Sequence, residues 1–281
     1  MSPFDGIQWN ILATGIVSPE GPAADLMGQI FLVSRWTGRV MRVDANGHTS
    51  ELVFTGGKPQ SIAFLKSGEM LLADAENRAL QQVTRTGMLS NVANSVDGER
   101  FFGPNDLVIA DEGIVYLTDP GLVFHGDGRV LRIDTLTGQT KVLADGLKWP
   151  NGITLTDDGR TLMVAESAMH RVLRYELLGD GKDLGSAEVF YQFDDHHPDG
   201  IAFDAVGNLL VAMSGSGTVA VVSPTGNLLA SIPTGGTKCT NCVFGGDDFQ
   251  TLYLTEDDQQ ALLSTRWPFS GQKRFSRSLS R

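Results

Sequence analysis

The hydrophobic positions of this chain come in short runs, each bounded by Gly, Asp, Asn or another turn residue, and the runs return at a regular interval. Five anchors make the interval plain: PQSIAF from Pro59, PNDLVI from Pro104, PNGITL from Pro150, PDGIAF from Pro198 and TNCVFG from Thr240, spaced 45, 46, 48 and 42 residues apart. A sixth, PEGPAA from Pro19, precedes the first of these by 40. After each anchor comes a second run of strand-forming composition: QIFLVS, EMLLAD, IVYLTD, TLMVAE, NLLVAM and TLYLTE. A polar hairpin and a third run follow, such as GRVMRVD, GRVLRID and HRVLRYE, and a fourth is visible in most units, as in SELVF and TKVLAD. Four antiparallel strands repeating at this interval predict the blades of a β-propeller.

The stretch from Glu69 to Thr86 has the Ala, Leu, Glu and Gln content of a helix. It aligns position by position with β-rich counterparts, so strands are predicted there too. The sixth repeat ends after its third strand, at Trp267, while IQWNILATG near the N-terminus is extended and lacks a partner. That segment is predicted to supply the missing outer strand, closing the ring and leaving no open edge. The expected fold is all-β, a six-bladed propeller with four antiparallel strands per blade, formed by residues 1–281 as one domain.

Composition adds detail to this picture. The chain holds 33 glycines in 281 residues, about 12% against roughly 7% in ordinary proteins. Gly28, Gly68, Gly113, Gly159 and Gly207 stand at the entry to second strands, one per repeat in all but the last. A net charge of −11 argues against nucleic acid and anionic membrane surfaces as partners, since both need a cationic footprint. No apolar run approaches the ~20 residues that span a bilayer, and MSPFDGIQWN lacks the basic and apolar regions of a signal peptide. Cys239 and Cys242 are the only cysteines. On a strand their Cα atoms lie ~10 Å apart, too far for a disulfide, and a lone C-x-x-C lacks a second pair of zinc ligands. Two buried thiols in a reducing cytoplasm are expected, with a small molecule as partner and the oligomeric state left open.

Inner strands of a propeller run parallel around a channel, which brings their first residues to one mouth. Along the anchors that position holds Glu20, Gln60, Asn105, Asn151, Asp199 and Asn241, all ending in a carboxylate or amide. Two carboxylates and several amide oxygens, with no His or Cys, make a hard-oxygen cage suited to Ca²⁺, with Mg²⁺, Mn²⁺ or Zn²⁺ as alternatives. Without an ion Glu20 and Asp199 would repel, and one would tend to hold a proton. Asp74, Asp119, Glu166 and Glu256 end second runs and read as turn-forming or hydrogen-bonding groups. The hairpin from Asp119 to Val130 takes 11 positions where Glu166 to Val172 takes 6, and it carries Phe124 and His125 as candidate substrate contacts. Gln60 and Asn105 are the other candidates for that role, and His196 and His197 could line the same rim.

The motifs EGP at Glu20, PND at Asn105, WPNGITLTDDGRTLMVAES around Asn151, HPDGIAFDAVGNLLVA around Asp199, and TNCVFGGDDFQTLYLTE together resemble the SMP-30/gluconolactonase family of calcium-dependent six-bladed propellers. The resemblance runs over nearly the whole chain. It implies a divalent ion held by Glu20, Asn151 and Asp199, with Asn105 completing the shell or holding substrate or water. It also implies a hydrolase of lactones that uses the ion as Lewis acid, and in such a site Asp199 is the expected general base. The sugar-lactone members resemble one another in an arginine two positions before the PND-type asparagine; this chain has Gly103 there, after Phe101 and Phe102. A less polar lactone or ester, aromatic or alicyclic, fits that replacement better. Two further readings stay open: a lyase or isomerase using the same ion, and a propeller that binds calcium without catalysis.

Overall fold

The structure is a computed structural model that describes residues 2–111, 113–122, 125–275 and 277. Its strands form six antiparallel blades in a ring. Blades I to VI begin with the inner strands Pro19–Ala24, Pro59–Phe64, Leu107–Asp111, Pro150–Leu155, His197–Phe203 and Cys239–Gly245. Blade IV carries an additional short strand, Asp183–Leu184. Blade VI is completed as predicted by Asn10–Thr14, which pairs antiparallel with Ala261–Arg266 in a register running from Asn10 opposite Ser264 to Thr14 opposite Ala261.

The segment with helical composition forms the strands Met70–Asp74 and Ala79–Val83. Side-chain alternation explains the outcome. Leu71, Ala73 and Leu80 face blade III and pack with Leu107, Val115 and Leu131, whereas Met70, Leu72 and Val83 face blade I and pack with Val33 and Val40. A helix would gather these residues on one stripe and leave one of the two gaps unfilled. The same arrangement recurs around the ring, with one apolar cluster filling each gap between neighbouring blades. Cys239 and Cys242 are free and buried within one such cluster, and burial pushes both thiols up to about 12. Among the described residues, no helix is long and apolar enough to cross a membrane.

Beyond Arg266 the chain turns across the face where the inner strands end, opposite the mouth. Ala205 N donates to Ser270 O at 2.7 Å, Gly271 N to Phe249 O at 2.8 Å and Gln272 N to Phe203 O at 3.0 Å. The Gln272 side chain reaches Leu155 O at 3.0 Å, and Phe275 is buried between blades III and IV. Arg277 then enters the channel, its carbonyl accepting from Phe64 N at 3.2 Å. Nothing in the repeat pattern foretells this strap.

Candidate functional site

Strand register fixes which side chains share the mouth. In blade II Ile62 pairs with Leu72, in blade III Leu107 with Leu117, in blade IV Ile153 with Val164, and in blade VI Cys242 with Leu254. Counting back from these equivalent residues, the anchor position of blade VI is Thr240, and Asn241 lies one step deeper. Matching asparagine to asparagine shifts the sixth repeat by one residue, because side-chain identity does not carry the ladder register. The ring at the mouth is therefore Glu20, Gln60, Asn105, Asn151, Asp199 and Thr240. Thr240 is a joint between blades: its Oγ1 donates to Pro19 O at 2.9 Å and lies 2.7 Å from Thr255 Oγ1.

Three of the predicted residues converge. Glu20 and Asn151 are buried at 3% and 6% exposure, and Asn151 lies close enough to Asp199 to oppose the rise of its pKa. Glu20 Oε1 accepts from Gly21 N at 3.1 Å, but Glu20 Oε2 and Asn151 Oδ1 have no hydrogen-bond partner. Burial raises the Glu20 pKa, opposed first by the charge of Arg35 and then by hydrogen bonds from Asn241, Gly21 and Thr240. Asp199 is raised well above the usual carboxylate range, first by burial and next by the charge of Glu20, again with Arg35 opposing. Buried oxygens left without donors beside two mutually repelling carboxylates are what a divalent cation would satisfy. The donors are all oxygen, which suits calcium better than zinc. Among the described residues no group of three or more His, Cys, Asp or Glu gathers to hold a metal, so any shell would draw on amide, carbonyl or water oxygens as well.

Asn105 and Gln60 sit at the edge of this cluster and line a cavity of about 470 Å³ at the mouth, together with Arg35, Trp36, Lys58, Phe102 and Trp149. The Gln60 side chain is turned to its own blade, Nε2 donating to Lys58 O at 3.1 Å. Arg35 is fixed on the turn Arg35–Thr37 by Ser18 Oγ at 2.9 Å and Asp257 at 3.3 Å. Lys58 Nζ lies 5.1 Å from the Trp36 ring centroid, and the Arg129 guanidinium lies 3.8 Å from that of Phe102. Arg35, Trp36 and Trp149 lie outside the polar anchor position and were not among the predicted contacts. The available signal for Arg35 is its place directly after the second strand, where other blades carry Ala75, Pro120, Ser167 and Asp257.

His125 is exposed, its amide donating to Leu122 O at 3.2 Å, and is not among the residues lining the cavity. Phe124 lies outside the described residues. His197 Nδ1 lies 3.0 Å from Ser167 O, and its ring lies against that of His170, tilted by 31° with centroids 4.9 Å apart. The acidic ends of the second strands are hydrogen-bonding groups, as expected. Asp74 accepts from Lys58 N at 2.9 Å, Asp119 from Gly103 N at 2.7 Å, Glu166 from Lys148 N at 2.7 Å and Glu256 from Lys238 N at 2.7 Å. A larger cavity, about 970 Å³, lies on the opposite face beside the strap. It mixes Arg160, Arg174 and Lys273 with Asp157, Glu176 and Glu188, and it lies away from the converging oxygens.

The architecture and the mouth define a class: six-bladed propellers with an oxygen-lined slot at one end of the channel. Residues 18–257 match the SMP-30/Gluconolactonase/LRE-like region, and the chain belongs to this family. Among curated proteins it is 30% identical over 196 residues to strictosidine synthase-like 6 of Arabidopsis thaliana, covering 64% of this chain and 51% of that one. It is 33% identical over 196 residues to the adipocyte plasma membrane-associated protein of Gallus gallus, covering 63% and 47%. The chain thus spans about half the length of the curated relatives it matches. Among solved structures it resembles a gluconolactonase of Xanthomonas campestris, with TM-score 0.83, 23% identity and coverage of 93% and 90%. It also resembles regucalcin, a calcium-binding protein of Agrobacterium tumefaciens, with TM-score 0.81, 22% identity and coverage of 98% of each chain.

Proposed function

We propose that this protein hydrolyses a lactone or related carboxylic ester, with a divalent ion, calcium foremost, held by Glu20, Asn151 and Asp199. The observation that carries the reading is the pair of orphaned buried oxygens, Glu20 Oε2 and Asn151 Oδ1, beside the strongly raised Asp199. Membership of the family and the likeness to gluconolactonase and regucalcin folds support it. When bound, the ion supplies Lewis-acid polarisation of the acyl oxygen.

Asp199, beside Glu20 and Asn151 in the slot, acts as general base. It takes a proton from water as the water oxygen bonds to the acyl carbon. The acyl C–O bond then breaks, and the proton passes to the departing oxygen, leaving a hydroxy acid. Asn105, on the cavity wall beside the slot, orients the ester. Trp36, Phe102 and Trp149 give the cavity aromatic walls, and Gly103 leaves its wall open, which favours an aromatic or alicyclic acyl compound over a polyhydroxylated sugar lactone.

Aliphatic, aromatic and sugar lactones assayed with EDTA and with added calcium test this reading. Calcium-dependent ring opening of the aromatic members, with solvent oxygen in the product, is the expected result. Activity on aldonolactones alone would overturn the inference drawn from Gly103. A rearranged product without solvent oxygen would replace hydrolysis by elimination or isomerisation, and calcium binding without any turnover would leave a binding propeller.

A further inference from the structure

We infer that Arg277, delivered by the strap, is a positioning residue of the slot. It is 6% exposed, its Nη1 donates to Asn241 Oδ1 at 2.8 Å, and its Nη2 pairs with the fully buried Asp106. Asp106 and Asn241 each lie one step deeper than the mouth ring, on blades III and VI, which stand opposite each other. One planar guanidinium therefore spans the channel directly beneath the proposed ion.

Through its two partners Arg277 reaches the supports of all four slot residues. Asp106 adjoins Asn105, and its carboxylate also accepts from Leu107 N at 2.8 Å and from Ile153 N at 3.2 Å. Ile153 stands two residues after Asn151. Thr118 Oγ1 locks the same frame by donating to Asn151 O at 2.7 Å and lying 3.0 Å from Asp106 N. On the other side Asn241 lies close enough to Glu20 to oppose the rise of its pKa. It also packs so closely on Gly200, next to Asp199, that a Cβ at Gly200 would lie 2.0 Å from Asn241 Cγ.

Removing the guanidinium leaves Asp106 a buried carboxylate without its cation, which must turn or hydrate and so release the amides it holds. This inference rests on the reading of the slot as an ion site, and the test separates the two.

Arg277→Met, Arg277→Lys, Asp106→Asn and the Asp106→Asn/Arg277→Met double variant are compared with the wild type. Calcium affinity is measured by calorimetry and deuterium uptake by the segments containing Leu107 and Ile153. Arg277→Met is expected to weaken calcium binding by about 10-fold or more, as outer partners of metal ligands do, and to speed exchange at both segments. Arg277→Lys should recover part of each loss. The double variant should cost no more than the worse single one, since the two residues act as a unit. Wild-type affinity and exchange in Arg277→Met, or losses that multiply in the double variant, overturn the inference. Should Arg277→Met fail to fold, Arg277→Lys carries the comparison, with intermediate calcium affinity and exchange expected and wild-type values counting against the role. A wild-type protein that binds no calcium sinks the ion reading alone, and the exchange measurements still decide the role of Arg277.

Discussion

Two layers of the channel, one residue apart along the same inner strands, treat buried carboxylates in opposite ways. In the mouth layer Glu20 and Asp199 lie side by side, both pKa values raised, with Glu20 Oε2 and Asn151 Oδ1 unpartnered. In the layer beneath, Asp106 is equally buried and its pKa is also raised, yet it has Arg277 and two backbone amides for company. The carboxylates at the outer hairpins, Asp119 and Glu256, are likewise fully engaged. Burial alone therefore does not mark the site. Among these carboxylates the distinction is burial without compensation, which costs stability and is what a bound cation would offset.

This contrast can be broken by experiment. The largest effect belongs to Asp199→Asn, expected to cut turnover by about 10²–10⁴-fold while circular dichroism and melting temperature stay near wild type; a wild-type rate would remove Asp199 from the role of base. Glu20→Gln should weaken calcium binding by about 10–100-fold and cancel most of the thermal stabilisation that calcium gives the wild type. Without calcium its melting temperature should equal or exceed that of the wild type, because one of two repelling charges is gone. Glu256→Ala is the mirror image. It should lose roughly 1–3 kcal/mol of stability by orphaning the amides of Lys238 and Gln259, with calcium affinity unchanged by titration. The smallest effect is a null one: with both thiols pushed up to about 12, Cys239 and Cys242 should stay silent to a thiol-disulfide reagent at pH 8 until the protein is unfolded.

Much of this was legible in the sequence because each blade solves the same packing problem. The anchors, the second-strand glycines and the unpartnered IQWNILATG segment lead to six blades and a closing strand, since every repeat must fill two gaps with alternating side chains. The convergence of Glu20, Asn151 and Asp199 was legible too, because inner strands running parallel around one channel bring their equivalent first residues to one mouth.

Three features were not. Asn241 was assigned by likeness to Asn105 and Asn151, whereas the ladder opposite Thr255 puts it a step deeper. Arg35 belongs to a turn whose residues change from blade to blade, so repetition gives no template for its side chain. The segment GQKRFSR follows the last repeat and has no counterpart in the repeat pattern, and the buried Asp106 explains why an arginine is drawn inside.

The closing of blade VI also has a kinetic side. Asn10–Thr14 leaves the ribosome before every other described strand, and its partner Ala261–Arg266 is among the last. Joining them closes a loop that contains the rest of the ring, a contact of extreme sequence separation that folds slowly. Until then blade VI presents an unpaired edge, and Thr240, whose hydroxyl stitches that blade to Pro19 of blade I, has no stable counterpart across the seam. The seam beside the slot is thus expected to close late, and in a nascent propeller with five finished blades Glu20 of blade I would lack the Asn241 and Thr240 neighbours that blade VI supplies.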